Sequence, residues 1–493
     1  MIKNLIDGKW EDASSGETFE SINPADTGEK LGLVAKSTHA DIDRALKAAR
    51  NAFKTWRLIP GPKRGDILFR AAEILTRRKQ ELGELVTREM GKVLPEALGD
   101  VQSAIATTYY MAGEGRRLSG ETVPSELPEK DCKSVRVPVG VCAVITPWNF
   151  PVAIPAWKMM PALVSGNTVV LKPSSYTAAC ATKLGEILLE AGLPAGVLNI
   201  LHGRGEETGE YLATHHEVDA LSFTGSTEVG TRLAARCTEL GKKVSCEMGG
   251  KNAIIVMDDA RLELAVEGAV WSGFGTTGQR CTSASRLVVH EKIYERFFDL
   301  FKTAASKLKI GNGLSRETDV GPLTNEAQVQ KVLRYIEIGK GEGTTLATGG
   351  KVYREGECAK GYFVEPAIFT DVLPHMRIAQ EEIFGPVVCV MKARDLEDAL
   401  SIVNGTAYGL VASIYTQDIN KAAIAERELD TGIVYVNAST IGAEIQLPFG
   451  GTKKSGIGSR DLGGRGGALD MFTKWKVVYR DFSGRLQKAH IDK

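Results

Sequence analysis

From residue 141 the chain alternates between short β-branched apolar runs and longer runs whose apolar residues recur three and four apart. "VCAVITP" (141–147) leads into a helical pattern over 153–165, and "NTVVLKPS" (167–174) leads into "TAACATKLGEILLEAG". "VLNILHG" (197–203) precedes "EETGEYLATHH", "ALSFTGS" (220–226) precedes "TEVGTRLAARCTELG", and "KVSCEMGG" (243–250) closes the series. Strands that are apolar throughout, alternating with helices, predict a doubly wound parallel sheet covered on both faces. Ligands of such sheets sit beyond the carboxyl ends of the strands. That rule directs attention to residues 146–149, 172–175, 203–209 and 224–227.

A second cycle starts near residue 252 with "NAIIVM", a helical run over 260–279, "RLVVH", "IYERFFDLFKTAASKL", "PVVCVMKA" and "TGIVYVN". It predicts a second α/β domain. The first hundred residues read as mainly helical, with the apolar spacing of "DIDRALKAARNAFKTW" and "RGDILFRAAEILTRRKQELGELV". "SVRVPVG" with its upstream loop and the C-terminal "TKWKVVYRDF" fit neither domain, and predict a small extra sheet that joins subunits. The expected organisation is a dinucleotide-binding domain over 1–115 and 138–247 and a catalytic domain over 248–460. Oligomerisation segments are expected at 116–137 and 461–493, in a homodimer or a dimer of dimers. The basic stretch "GGTKKSGIGSRDLGGRGG" (450–467) lacks the interleaved aromatics of an RNA-binding arm and reads as a mobile loop.

Composition narrows the function classes. The 493 residues exceed what one core organises, and 61 basic residues balance 61 acidic ones. No global charge draws the chain to nucleic acid or to an anionic membrane. The stretch 137–157 has membrane-spanning length without a charge, but four prolines break it into strand, loop and helix start. The N-terminus carries charges throughout and has no apolar targeting core. Eight cysteines without a C-x-x-C pair and seven scattered histidines give neither a disulfide framework nor a metal site, so a reducing cytoplasmic setting is expected.

One cysteine stands apart. "GFGTTGQRCTSASR" (273–286) places Cys281 in a polar, glycine-marked turn beside Arg280, where a substrate can approach closely. A catalytic thiol needs access, activation and a positioned base. Cys142 and Cys389 fall in strand runs and Cys180 and Cys237 in helical runs, contexts of packing.

"GQRCTSAS" resembles the nucleophile motif of the aldehyde dehydrogenase superfamily, and "EMGGKN" (247–252) resembles its glutamate motif. The similarity extends to "TPWNFP" (146–151), "VVLKPS" (169–174), "FTGSTEVG" (223–230), "EEIFGPV" (381–387), "NGTAYGL" (404–410) and "PFGGTKKSGIG" (448–458), in the family's order. The fold this implies is α/β, with two doubly wound domains and a small oligomerisation sheet.

Carried over residue by residue, the resemblance makes Cys281 the nucleophile on an aldehyde carbon, and Asn149 with the Cys281 backbone N–H the oxyanion donors. Glu247 would activate the hydrolytic water, rather than being a solvated end-of-strand carboxylate. Asn149 could instead cap its loop, which Trp148 and the flanking prolines stiffen. The implied cofactor is NAD or NADP, with Lys172 on the adenosine ribose and also counted with the catalytic set, Ser226 near the pyrophosphate and Glu382 on the nicotinamide ribose. Thr146, Pro147, Trp148, Ser174, Ser175, Gly205, Gly209, Phe223, Thr224, Gly225 and Gly249 complete the expected cofactor surface. Phe384 either walls the nicotinamide or is a plain core residue. Ser226 also reads as a helix N-cap, and both roles can hold at once. No G-x-G-x-x-G fingerprint occurs, which separates this chain from ordinary Rossmann alcohol dehydrogenases.

Two positions depart from the family pattern. Ser175 stands where a ribose-binding glutamate is frequent, which leads us to expect NADP to be used at least as well as NAD. Asp461 stands where a glutamate is common. The tail "WKVVYRDFSGRLQKAHID" and "GAEIQLPFGG" look similar to 2-oxoglutarate semialdehyde dehydrogenases. A short aldehyde bearing a carboxylate is therefore the expected substrate, met by Trp157, Phe150, Phe449 and Arg280, unless Arg280 faces away and pairs with an acidic surface residue. Release of the thioester to CoA is the alternative within the fold, and a non-catalytic scaffold the alternative outside it.

Overall fold

The computed structural model describes residues 1–490. Its first large sheet has eight strands in the spatial order Lys9–Glu11, Asn4–Ile6, Leu198–Ile200, Thr168–Lys172, Val141–Ile145, Ala220–Thr224, Lys243–Glu247 and Gly456–Gly458. The five central strands are parallel, as their unbroken Val, Ile, Leu and Ala runs predict, and the flanking strands are antiparallel. Chain order runs outward in both directions from Val141–Ile145. That reversal opens a crevice at the carboxyl ends of Val141–Ile145 and Ala220–Thr224.

The second large sheet has seven strands, with Asn252–Val256 between Ala284–His290 and Val411–Tyr415, and only Thr345–Thr348 runs antiparallel. Each sheet buries its own apolar clusters on both faces. A third sheet joins Glu121–Val123, Lys130–Pro138 and Thr473–Asp481, the last two paired from Thr473↔Pro138 to Asp481↔Lys130. Trp475, Val477 and Tyr479 are exposed on it.

Three expectations need qualifying. The first hundred residues are mainly helical, but the chain opens with four strands, Asn4–Ile6, Lys9–Glu11, Thr18–Asn23 and Asp26–Ala35, and helix begins only at His39. Alternating polar residues there give half-buried strands rather than a helical face. The stretch 450–467 is not simply a loop: Thr452–Lys453 and Gly456–Gly458 are strands, and the latter closes the edge of the first sheet against Lys243–Glu247. Within 461–490, Ala468–Phe472 is a short helix buried in the first core, so only Thr473–Asp481 joins the extra sheet. Residues 491–493 of that segment lie outside the described residues.

Candidate active site

Strand register collects the first group of site residues. Ile145 lies opposite Lys172 and Phe223, and Thr224 lies opposite Glu247, so 146, 172, 224 and 247 reach one edge together. Beyond Thr224, Gly225 turns the chain and the Ser226 hydroxyl accepts the Val229 N–H at 3.4 Å, capping the helix Thr227–Glu239. The hydroxyls of Thr146, Thr224 and Thr227 are buried there without a protein partner. Buried polar atoms left unpaired are costly unless a ligand or water meets them. Burial also lowers the Lys172 ammonium to about 8, and a Cβ on Gly205 would stand 3.8 Å from its Nζ. Ser174 accepts the Tyr176 N–H at 3.3 Å, and Ser175 opens the turn Ser175–Thr177 beside it. Gly209 is buried in the helix Gly205–Thr214, over Ile145. These unpaired hydroxyls, a helix N-terminus and a buried cation fit a ligand built of ribose hydroxyls and phosphate oxygens.

The loop that carries Cys281 faces this edge. The helix Leu262–Phe274 ends in a turn where Thr276 (φ 52°, ψ 29°) and Thr277 (φ 57°, ψ 36°) are both left-handed. Cys281 follows, half-buried in a cavity of about 210 Å³ lined by Pro147, Trp148, Asn149 and Ile154 on one side. Thr224, Gly225, Ser226, Met248 and Gly249 line another side, and Gln328, Lys331, Glu382 and Phe384 the third. Asn252 holds the loop by donating its side-chain amide to the carbonyls of Cys281 (2.7 Å) and Ser283 (2.9 Å). Asn149 is buried and spends one amide hydrogen on the Gln279 carbonyl at 3.1 Å, which leaves the other to donate.

The electrostatics of the cavity favour uncharged groups. Removal from water pushes the Cys281 thiol up to about 12, and the carboxylates of Glu382 and Glu247 add to the rise. The backbone N–H groups of Cys281 and Thr282 pull the other way. Burial raises Glu247 well above the ordinary carboxylate range, and Asp461 raises it further against the opposing Lys158 and Arg460. One Glu247 oxygen has no partner, and a Cβ on Gly450 would collide with its carboxylate. Asp461 has a definite place: its carboxylate pairs with the fully buried Lys158 at 2.8 Å, and Lys158 also donates to Ser222 at 3.0 Å. Glu382 accepts the Gly250 N–H at 3.0 Å, in space that a Cβ on Gly249 would fill.

Phe384 is no plain core residue. Its φ is 61°, its ring meets Trp148 edge-on at 5.4 Å, and Gln328 holds its carbonyl at 2.7 Å. Gln328 and Lys331 were not legible as site residues, because their helix Glu326–Gly341 shows only an amphipathic pattern. Asn252 was legible within "EMGGKN" as part of a motif, but its bond to the nucleophile loop was not.

The expected substrate residues divide. Trp157 and Phe449 pack with ring centroids 5.3 Å apart in an apolar cluster that includes Cys281, Ala443 and Ile445. Arg280 is elsewhere, which corrects the expectation that its fork meets the substrate. Its side chain is buried on the far side of the loop, ion-paired with Glu96 at 3.2 Å and bonded to the Thr276 hydroxyl at 2.7 Å. A guanidinium removed from water needs a fixed counter-charge, and Glu96 supplies it. Phe150 lies with it, its ring 5.7 Å from the Arg280 guanidinium and 3.7 Å from the Lys92 ammonium.

A thiol, a free amide N–H and a buried carboxylate meeting at a dinucleotide-type sheet edge define an oxidoreductase of the aldehyde dehydrogenase class. The aldehyde dehydrogenase family profile matches residues 10–478, and the chain belongs to that family. It is 45% identical over 476 residues to an alpha-ketoglutaric semialdehyde dehydrogenase of Bacillus subtilis (strain 168), covering 97% of each chain. It is 43% identical over 482 residues to an alpha-ketoglutarate semialdehyde dehydrogenase of Haloferax volcanii, covering 97% of this chain and 99% of that one. A solved betaine aldehyde dehydrogenase from Staphylococcus aureus in complex with NAD+ superposes with a TM-score of 0.96 at 34% identity, covering 100% and 97% of the two chains. Among the described residues, no helix is long and apolar enough to cross a membrane.

Proposed function

We propose that this aldehyde dehydrogenase oxidises a short aldehyde bearing a carboxylate, with 2-oxoglutarate semialdehyde the first candidate, to the acid through a thioester on Cys281. Cys281 and the free Asn149 N–H share one cavity, and Glu247, with one oxygen unpartnered, lies close enough for its charge to act on the Cys281 thiol; that arrangement carries this reading. The thiol gives up its proton to water in the cavity and its sulfur adds to the aldehyde carbon, while the Asn149 amide and the Cys281 N–H receive the developing oxyanion. NAD or NADP, held along Lys172, Ser226 and Glu382, would supply the acceptor for the hydride on that carbon, which would leave the acyl group on sulfur. Glu247 then takes a proton from water as the water attacks the thioester, and thiol and carboxylic acid result. A carboxylate held above its ordinary range by burial suits that base role near neutral pH. The apolar wall of Trp157, Phe449 and Ile445 suits the carbon chain of the aldehyde.

The carboxylate preference rests on the two semialdehyde dehydrogenase relatives rather than on Arg280. For the cofactor, Ser175 in place of a carboxylate removes repulsion of a 2′-phosphate, and Lys172 adds attraction, so NADP serves at least as well as NAD. The sheet formed by Thr473–Asp481 leaves Trp475, Val477 and Tyr479 exposed, which fits burial in a homodimer or dimer of dimers. The test follows reduced-dinucleotide formation from 2-oxoglutarate semialdehyde and from the neutral aldehyde of equal length, with and without CoA. Preference for the acid without need of CoA is expected; strict CoA dependence would assign the thioester to CoA transfer instead.

A further inference from the structure

Behind the nucleophile loop the helix Leu94–Glu114 presents Glu96, Asp100 and Ser103, spaced four and three apart and therefore on one face. Each reaches a different part of the site. Glu96 accepts from the Thr276 N–H with both oxygens at 2.9 Å and from the Thr276 hydroxyl at 2.9 Å, and pairs with Arg280 at 3.2 Å. Asp100 accepts the Ala153 N–H at 2.7 Å, in the first turn of the helix that follows Asn149. The Ser103 hydroxyl accepts from the Trp157 indole at 3.0 Å.

We propose that Glu96 is a positioning residue for the reaction: through Thr276 and Arg280 it fixes the loop that carries Cys281, in register with the Asn149 amide. The proposal rests on Cys281 being the nucleophile, as argued above. Two consecutive β-branched residues in the left-handed region are strained, and such strain persists only where surrounding bonds over-determine it. Glu96 provides those bonds at Thr276, while the Thr277 hydroxyl donates to the Gly321 carbonyl at 2.9 Å. The bond from Arg280 Nε to the Thr276 hydroxyl closes a ring of three side chains immediately before Cys281. Between Thr276 and Arg280, the Gln279 carbonyl accepts from Asn149, so one clamp locates both the sulfur and the oxyanion donor. None of the three side chains lines the cavity that holds Cys281.

The test uses two variants of the full-length protein. Glu96→Gln/Arg280→Met removes both charges together, so neither is left buried alone. Thr276→Gly relieves the left-handed strain and removes the hydroxyl at the centre of the clamp, and it keeps the Glu96–Arg280 pair, so no buried charge is left alone. For each, kcat, KM for both substrates, the thermal midpoint and the rate of Cys281 alkylation by iodoacetamide are measured. Misplacement of a reacting group by about 1 Å costs about a hundredfold in rate. A kcat loss of that order is expected in Thr276→Gly and in the double variant, with both KM values within about threefold of wild type and an altered alkylation rate. Wild-type kcat and alkylation rate in a folded Thr276→Gly variant would overturn the proposal. Cys281→Ala serves as the separate control: if it remained active, the nucleophile assignment itself would fall, whatever the clamp variants did.

Discussion

The two sides of the loop that carries Cys281 treat polar groups in opposite ways. Behind it, Arg280, Glu96 and Thr276 are buried and bonded to one another. In front of it, one oxygen of Glu247, the carbonyl oxygen of Asn149 and the hydroxyls of Thr146 and Thr224 are buried with no partner. A paired buried charge fixes geometry, whereas an unpaired polar atom is held ready for something that arrives. The position of Arg280 illustrates the difference. Adjacent to Cys281 in sequence, it lies on the satisfied side and serves the loop rather than the ligand.

The largest effect expected on the front side comes from Cys281→Ala, which should lower dehydrogenase turnover by more than about ten-thousandfold while dinucleotide binding persists. Steady-state rates together with a fluorescence titration of the dinucleotide check both halves. On the back side, Arg280→Ala leaves Glu96 buried without its counter-charge. Loss of about 3–5 kcal/mol of stability is expected from breaking such a pair, read from the urea midpoint. The ratio of kcat/KM for the acidic and neutral aldehydes should stay unchanged in that variant. A collapse of the acid preference would place Arg280 in front of the loop after all.

At the sheet edge, Ser175→Glu should shift the NADP-to-NAD ratio of kcat/KM towards NAD by about ten- to a hundredfold, from roughly 1–3 kcal/mol of charge repulsion. The pH dependence of binding sharpens the same point. Lys172 has its pKa lowered to about 8, so its charge is present below pH 8 and lost as pH rises through that value. KM for NADP should therefore climb between pH 7 and 9, and KM for NAD should climb less. The last effect concerns the thiol and leaves turnover aside. With Cys281 near 12, the thiolate fraction at neutral pH is small and grows about tenfold per pH unit. Alkylation of the free enzyme by iodoacetamide should rise with pH from 7 to 9 without a plateau.

Much of the fold was legible because its strands are unbroken apolar runs, and the order from Val141 to Glu247 matches the parallel sheet observed. The N-terminal strands and the Gly456–Gly458 edge strand were not, since short half-exposed strands take their identity from partners distant in sequence. At the site, Cys281, Glu247, Asn149, Lys172 and Glu382 stood out through motifs with a glycine or proline beside them. Gln328, Lys331 and Glu96 did not, because each sits on a helix whose apolar spacing says only that one face is buried. The side of a loop to which a charged residue turns depends on where its counter-charge lies. For Arg280 that counter-charge is 184 positions earlier in the chain, at Glu96.

In the proposed reaction the acyl group rests on Cys281 until Glu247 directs water to it. Rapid mixing of Glu247→Gln with aldehyde and dinucleotide, followed by intact-mass measurement, tests it directly. The expected result is a burst of one reduced dinucleotide per subunit, then a stall, with the mass of the acyl group added to the chain and absent in Cys281→Ala/Glu247→Gln. Continuous turnover at the wild-type rate, with no burst and no acyl adduct, would contradict it.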